Sequence, residues 1–307
     1  MMKISGQRHN VVSIGESLWD RKDGVKMPGG APANLCHRLH QLGVPTQIAT
    51  RVGRDALGDE LLQHLTNKNF DLSLVQRDPI HPTGTVDIIQ AANGDASYTI
   101  NRPAAYDYLE ATDTLLTAAQ TARAICFGTL AQRNQESRET IHAILDAAHS
   151  AVTFLDINLR KDCFSRETVI ASVRRAEILK LNNDEIPDLS ALLGLSAHTP
   201  AELARKVLTT TRVKVVLVTL GANGVYAMDR SGAEVQVPGV PVRVVDTIGS
   251  GDSFSAGFLC KYLQGCSLHE CCVFGNLLGA MNATYEGGMP DIQPEEISRF
   301  AETLQVK

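Results

Sequence analysis

A chain of 307 residues, 44% hydrophobic and 21% charged, carries enough apolar material for one large α/β domain, alone or with a small appendage. Acidic residues outnumber basic ones 34 to 29, which excludes a general attraction to nucleic acid or to an anionic membrane and leaves any anion site to be local. Seven cysteines, with no C-x-x-C pair and with Cys271 beside Cys272, exclude a disulfide framework or a zinc site and place these two in a core helix. No apolar run of about 18 residues occurs, and the polar stretch Met1 to Asn10 lacks a signal core, so the expected compartment is the reducing cytoplasm.

In chain order, residues 11–14 read as a buried strand ending at Gly15-Glu16. Residues 17–27 are charged, turn at Asp23-Gly24 and carry the only tryptophan, Trp19, which is expected over a substrate or at a subunit contact. Gly29-Gly30-Ala31-Pro32-Ala33-Asn34 opens a helix with Leu35, Leu39 and Leu42 on one stripe and Gly43 at its end. His37 and His40 fall off that stripe and are expected on a solvated face. A strand at 46–52 and a helix at 56–67 follow, and two β-rich runs between Thr83 and Ile100 flank the hairpin signal Asn93-Gly94. Strands are then expected at 124–127, 152–155, 177–181 and 214–220, with helices near 137–149, 167–174 and 200–209. The last helix opens with the capping box Thr199-Pro200-Ala201-Glu202. Residues 224–237 read as another hairpin, and the chain after Asp252 reads as helix almost to its end.

Strands alternating with helices predict an α/β fold, a mostly parallel sheet sandwiched by helices and spanning 1–307 as one domain. Segments 17–27 and 83–101 are expected to pair into a small β lid over the carboxyl ends of the strands, where such sheets bind ligands. The most informative stretch is Asp246-Thr247-Ile248-Gly249-Ser250-Gly251-Asp252-Ser253-Phe254, between a β-rich run at 240–245 and a helix. A strand, glycine loop and helix in this order aim free N–H groups and the positive helix end at one point, which suits a phosphate or a developing anion. Gly249 and Gly251 allow the backbone angles and close approach this needs. Asp252 reads plainly as a helix cap. Its alternative is a general base that takes a proton from an attacking hydroxyl, which explains a carboxylate beside an anion site.

Taken in order, these motifs resemble the ribokinase-like (PfkB) carbohydrate kinases, and most closely their fructokinase branch. The glycine elbow resembles the family's second signature, written D-T-x-G-A-G-D-x-F-x-A-G, and residues 29–34 with their helix resemble the first. Gly15-Glu16 with Asp20, Asp156-x-Asn158-x-Arg160, Asn182-x-x-Glu185 and Thr219-x-Gly221-x-x-Gly224 match further stations. The resemblance implies ATP and Mg²⁺ as cofactors, a monovalent cation such as K⁺, and a sugar as substrate. It assigns Asp252 as base, the backbone of Gly249, Ser250 and Gly251 as anion hole, and Arg160 as local positive charge. Asp20, Gly29, Gly30, Asn34 and Asn158 would hold sugar hydroxyls, and Asn182 and Glu185 would place Mg²⁺. Thr219, Gly221 and Gly224 would line the ATP groove, with Asn276 near the adenine. Asp246 and the Gly287-Gly288 loop would hold the monovalent cation, and the lid edges would pair two subunits into a homodimer.

Ser250 replaces the family's alanine and Ile248 stands where Thr or Val is common, changes that matter little if the loop works through its backbone. Trp19, Tyr98 and Arg102 follow no transferable pattern, so fructose stands beside another sugar, a sugar acid or a nucleoside as substrate. A sugar-binding regulator without chemistry is the alternative from another class. Without the resemblance, Asn182 and Glu185 read as a helix cap and Arg160 as a surface ion-pair residue. No G-x-G-x-x-G follows the first strand, which speaks against a nicotinamide dehydrogenase, the competitor on the same fold, and no G-x-x-x-x-G-K-[ST] occurs, which excludes a P-loop.

Overall fold

The computed structural model describes residues 10–90 and 96–305. The first elements are β1 (Val11–Ile14), β2 (Leu18–Lys22), β3 (Val25–Gly29), α1 (Ala31–Gln41), β4 (Thr46–Gly53), α2 (Ala56–Asn67) and β5 (Val75–Asp78). Next come β6 (Gly84–Gln90), β7 (Ala96–Ile100), α3 (Asp113–Thr121), β8 (Ala124–Phe127), α4 (Gln135–Ala147), β9 (Val152–Asp156) and α5 (Arg166–Arg175). The chain continues through β10 (Ile178–Asn182), α6 (Ile186–Leu193), α7 (Pro200–Thr210), β11 (Val215–Thr219), β12 (Val225–Asp229) and β13 (Glu234–Val237). It ends with α8 (Ser250–Leu263), α9 (Leu268–Asn282) and α10 (Pro294–Gln305). The predicted turn at Asn93-Gly94 lies outside the described residues.

Alternation along the strands builds the layers, because successive side chains leave opposite faces of a sheet. Ile14, Ile125, Leu155, Leu179 and Val216 join the core beneath α3 to α7, while Val11, Ala124, Phe154, Ile178 and Leu217 join Leu35, Leu39, Phe254 and Phe258 of α1 and α8. The large sheet runs β13-β12-β11-β10-β9-β8-β1-β4-β5. Its neighbours from β5 to β11 are parallel, and β12 and β13 add an antiparallel edge. The chain leaves β1 for β4 on one side and later returns to β8 on the other, so the strand order reverses there, where an open α/β sheet leaves a crevice. A second sheet, β3-β2-β6-β7, forms because β2 pairs β6 in parallel and so joins the two excursions that the sequence separates.

Four expectations need correction. Residues 240–245 form no strand: Pro241 has no N–H to give a ladder, and the Val245 and Asp246 amides donate to Ala283 O beyond α9. Trp19 faces neither substrate nor surface. It is 6% exposed, packs with Ala33, Ile48, Leu61 and Met289, and donates from Nε1 to Leu57 O at 2.9 Å. His37 is buried, because Phe70 stacks on its ring at 6.1 Å and Pro290 O lies 3.2 Å from Nε2, whereas His40 is exposed as expected. The C-terminal run is three helices, broken at Gly265, whose φ is 80°, and again over residues 283–293. Cys271 and Cys272 are fully buried, as read. No helix among the described residues is long and apolar enough to cross a membrane.

Candidate active site

A cleft opens at the β1/β8 reversal, lined among others by Ser13, Glu16, Pro32, Thr129, Asp156, Asn158 and Asp252. Asp252 stands in the first turn of α8, half-buried, and does not cap the helix. The cap position is Gly249, in the left-handed region at φ 74°, and the cap makes no side-chain hydrogen bond. A Cβ on Gly249 would lie 2.6 Å from Gly288 Cα, so two glycines are needed where these loops cross. Asp252 Oδ2 accepts a 2.8 Å hydrogen bond from Asn34 Nδ2 at the start of α1. The amides of Gly251 and Asp252 precede the first intrahelical donor, Ser253 N to Gly249 O, and face outward from the helix end.

The charges beneath this elbow come from adjacent parallel strands. In the β9–β10 register Lys180 lies opposite Asp156, and its Nζ donates to Asp156 Oδ2 at 2.8 Å. Both residues are buried. A Cβ on Gly251 would come within 3.1 Å of Lys180 Nζ, which places the ammonium directly under the glycine turn. Burial opposes the charge on Lys180, but the Asp156 carboxylate together with Glu185 and Asp252 outweighs it, and the net direction of its pKa is up. Asp252 is pushed up to about 6, mainly by burial and then by the Asp156 charge, against Asn34, Lys180 and Arg160. Lys180 was not singled out in the sequence. Its signal was a lysine inside the apolar run Ile178-Leu179-Lys180-Leu181, on the face that carries Ile178 toward α8.

Glu16 is the second residue that motif reading passed over as a site group. Burial pushes its carboxyl up to about 7, opposed by hydrogen bonds from its own amide and from that of Ala31. A carboxyl that binds its proton more tightly when folded stabilises below its ordinary value of 4.5, and that contribution is lost as pH rises toward 7. Glu16→Gln is therefore expected to be about 1–3 kcal/mol more stable than the parent at pH 8 and equal to it near pH 4.5. Thermal melts at the two pH values check this; an equal shift at both would refute it.

The other predicted residues fall around the same edge. Asp20 on β2 lies against Gly29, whose missing Cβ leaves room for the carboxylate, and burial lifts its pKa to about 6. Gly30, at φ 109°, starts α1 with its backbone against Glu16 O. Asn158 takes φ 40°, a conformation asparagine tolerates, and lines the cleft, while exposed Arg160 lowers the pKa of Glu16, Asp20 and Asp252. Asn182 and Glu185 do form the capping pair. Asn182 Oδ1 accepts from the Asp184 and Glu185 amides at 2.9 and 3.1 Å, and Glu185 Oε2 accepts from Asn182 N at 2.8 Å. Glu185 Oε1 also accepts from Leu159 N at 2.6 Å, so it ties the end of β10 to the Asn158–Arg160 turn.

At the antiparallel edge, Thr219 is half-buried and Gly221 is exposed in a left-handed turn at φ 57°. Gly224, expected to line a groove, is buried instead: its backbone meets Val237 and Gly239 so closely that no side chain fits. Asn276 donates to Pro238 O at 2.8 Å, which fixes the same crossing from α9. Asp246 joins two loops through Ile248 N at 3.0 Å and Gly287 N at 2.9 Å.

With this geometry in place, comparison with known proteins decides the reaction class. The description "pfkB family carbohydrate kinase" matches residues 7–295. The chain belongs to the PfkB family of carbohydrate kinases. It is 32% identical to a fructokinase of Rhizobium leguminosarum bv. trifolii over 270 residues, 81% of this chain and 78% of that one. An uncharacterized sugar kinase from Pyrococcus horikoshii, solved in complex with ATP, is 26% identical at a TM-score of 0.82, over 97% of this chain and 100% of that one. A fructokinase double mutant from Vibrio cholerae O395, solved with fructose, ADP and potassium ion, is 25% identical at a TM-score of 0.82, over 97% and 99%. The fold is ribokinase-like, and the PfkB chain is a phosphotransferase with a sugar hydroxyl as acceptor.

The oxygen groups at the site suit the cations this family implies. Asp156 Oδ1 is buried without a partner, beside the Lys180–Asp156 pair and close enough to Glu185 for their charges to interact. These carboxylates with the Asn182 amide are the hard donors a divalent cation and its waters take. Asp246 with the Ile248 carbonyl offers a second oxygen set, in which each atom already accepts one N–H and retains a further lone pair.

Proposed function

We propose that this protein is a fructokinase that transfers the γ-phosphoryl group of ATP to the primary hydroxyl at C6 of D-fructose. The observation that carries the reading is Asp252: a carboxylate in the first turn of α8 that leaves the cap to glycine, faces the cleft, and is held by Asn34. In this reading Asp252 takes the proton from the sugar hydroxyl as its oxygen attacks phosphorus. The Gly249, Ser250, Gly251 and Asp252 backbone receives the charge that develops on the transferring group, with the Lys180 ammonium beneath it and Arg160 at the rim. Asp20, Gly29, Gly30, Asn34 and Asn158 orient the sugar, and Thr219 and Gly221 face the nucleotide. Glu185, Asn182 and Asp156 would hold Mg²⁺, which when bound would neutralise phosphate charge. Asp246 and the Gly287 loop hold K⁺.

Two ionisable carboxyls at the sugar side, Glu16 and Asp20, disfavour an acceptor that carries its own carboxylate, so a neutral sugar is preferred to a sugar acid. Fructokinases among the relatives support the choice of ketose. ADP release over a panel of fructose, ribose, a sugar acid and a nucleoside tests it. The expected kcat/KM for fructose exceeds each of the others at least about tenfold. A sugar acid or nucleoside at the head of the panel would replace fructose, and sugar binding without turnover would replace the kinase by a binding protein.

The same proposal includes a homodimer joined through the small sheet, whose edges are β3 and β7, with a mass in sedimentation twice the 33.2 kDa of the chain. It also includes the cytoplasm, since all seven cysteines are free thiols and a reducing compartment preserves them.

A further inference from the structure

Arg38 is a buried cation that the chemistry above does not use. It lies in α1 at 1% exposure, and its hydrogen bonds go to neutral oxygens: Ser253 Oγ at 3.3 Å, Asn282 Oδ1 at 3.0 Å and Gln41 Oε1. A guanidinium taken out of water without a carboxylate lowers stability unless its planar fork is well used. Here the fork joins three helices at one place. Ser253 directly follows Asp252, and its hydroxyl also donates to Asn282 Oδ1 at 2.8 Å. Asn282, at the end of α9, passes the contact on, since its Nδ2 donates to Ile248 O at 2.9 Å inside the glycine elbow. One helical turn before Arg38, on the same face of α1, Asn34 holds the Asp252 carboxylate. One helix thus grips the elbow twice, with Asn34 at the carboxylate and Arg38 behind the turn.

We infer that Arg38 is a positioning residue for phosphoryl transfer, fixing residues 248–253 through Ser253 and Asn282 so that Asp252 and the first-turn amides keep their aim. The catalytic part of this rests on the proposed kinase reaction; the positioning part does not. A side chain that fills the space without the fork leaves Asn282 Oδ1 held by the Ser253 hydroxyl alone and loosens its grip on Ile248 O, and an elbow misplaced by a fraction of an ångström loses rate more than affinity.

The test uses Arg38→Met, Asn282→Ala and the two combined, in the full chain. Hydrogen exchange of the ligand-free protein is read by mass spectrometry on peptides covering 247–254 and on the β12–β13 hairpin. Arg38→Met is expected to exchange at least about 10-fold faster in the elbow and to match the parent in the hairpin. Its kcat on the best sugar of the panel is expected to fall about 30-fold with KM within about threefold, and the double variant to be no worse than the poorer single. Unchanged elbow exchange, or a rise spread evenly over elbow and hairpin, overturns the inference, and so does a folded Arg38→Met with parental kcat. Should Arg38→Met not fold, Asn282→Ala alone is read by the same exchange criteria. Because exchange needs no substrate, a failure of the fructose reading shows separately, as a parent protein with no sugar turnover.

Discussion

Asp252→Asn lowers kcat by about 10³- to 10⁴-fold while KM for ATP and for sugar shifts less than about threefold. The asparagine oxygen still accepts from Asn34 Nδ2, so the pocket and the first turn of α8 are kept and only the proton acceptor is lost. The parent enzyme carries a second mark of the same group. Its Asp252 carboxyl is raised to about 6, and only the ionised form can take the hydroxyl proton, so kcat/KM falls about tenfold per pH unit below that value. Glu16 at about 7 and Asp20 at about 6 titrate in the same window, so the observed midpoint belongs to the cluster. Initial rates between pH 5 and 8 check this, with the acid limb expected in the parent and absent from the residual activity of Asp252→Asn. A variant with near-parental turnover would remove Asp252 from the role of base.

Lys180→Met is expected to damage both stability and rate. Asp156 would remain buried, with one oxygen already unpartnered and the other stripped of its 2.8 Å ammonium partner. Leaving one half of a buried pair costs about 3–5 kcal/mol, and the loss of positive charge beneath Gly251 costs about 100-fold in kcat. The direction of the remaining pH effect is fixed too. Lys180 lowers the Asp252 pKa and Asp156 raises it, so removing the lysine moves the acid limb of the surviving activity upward. Combining Lys180→Met with Asp156→Asn removes the stranded charge and is expected to restore most of the stability in urea unfolding, but not the rate. If the double variant regained both, the pair would be a structural brace with no part in transfer.

The layers and the glycine elbow were legible because their causes are local. The nearly continuous apolar runs at residues 11–14 and 178–181 report two covered faces directly, and D-T-I-G-S-G-D-S-F encodes a left-handed cap and a first turn in its own glycines. The choice between cap and base at Asp252 was not local. The cap reading is removed by Gly249, which takes that position, and by Asn34, more than 200 residues away in sequence, which donates to the carboxylate; the base is the role proposed for what remains. The same separation hid the brace behind the elbow, where Arg38 meets Asn282, and the burial of His37 under Phe70 and Pro290. Trp19 misled for a related reason: a charged hairpin reads as exposed until α2 is seen to cover one of its faces. Residues 240–245 have β-forming side chains, but Pro241 and the contact with Ala283 leave them no ladder to join.

Phosphorus NMR of the parent protein given ATP, Mg²⁺, K⁺ and D-fructose follows the phosphoryl group itself. The expected spectrum shows ADP and fructose 6-phosphate growing in equal amounts, with transfer about 10³- to 10⁴-fold slower in Asp252→Asn. Inorganic phosphate in place of a sugar phosphate, or equal transfer by the Asp252→Asn protein, would contradict a carboxylate that draws the proton from a sugar alcohol at the head of α8.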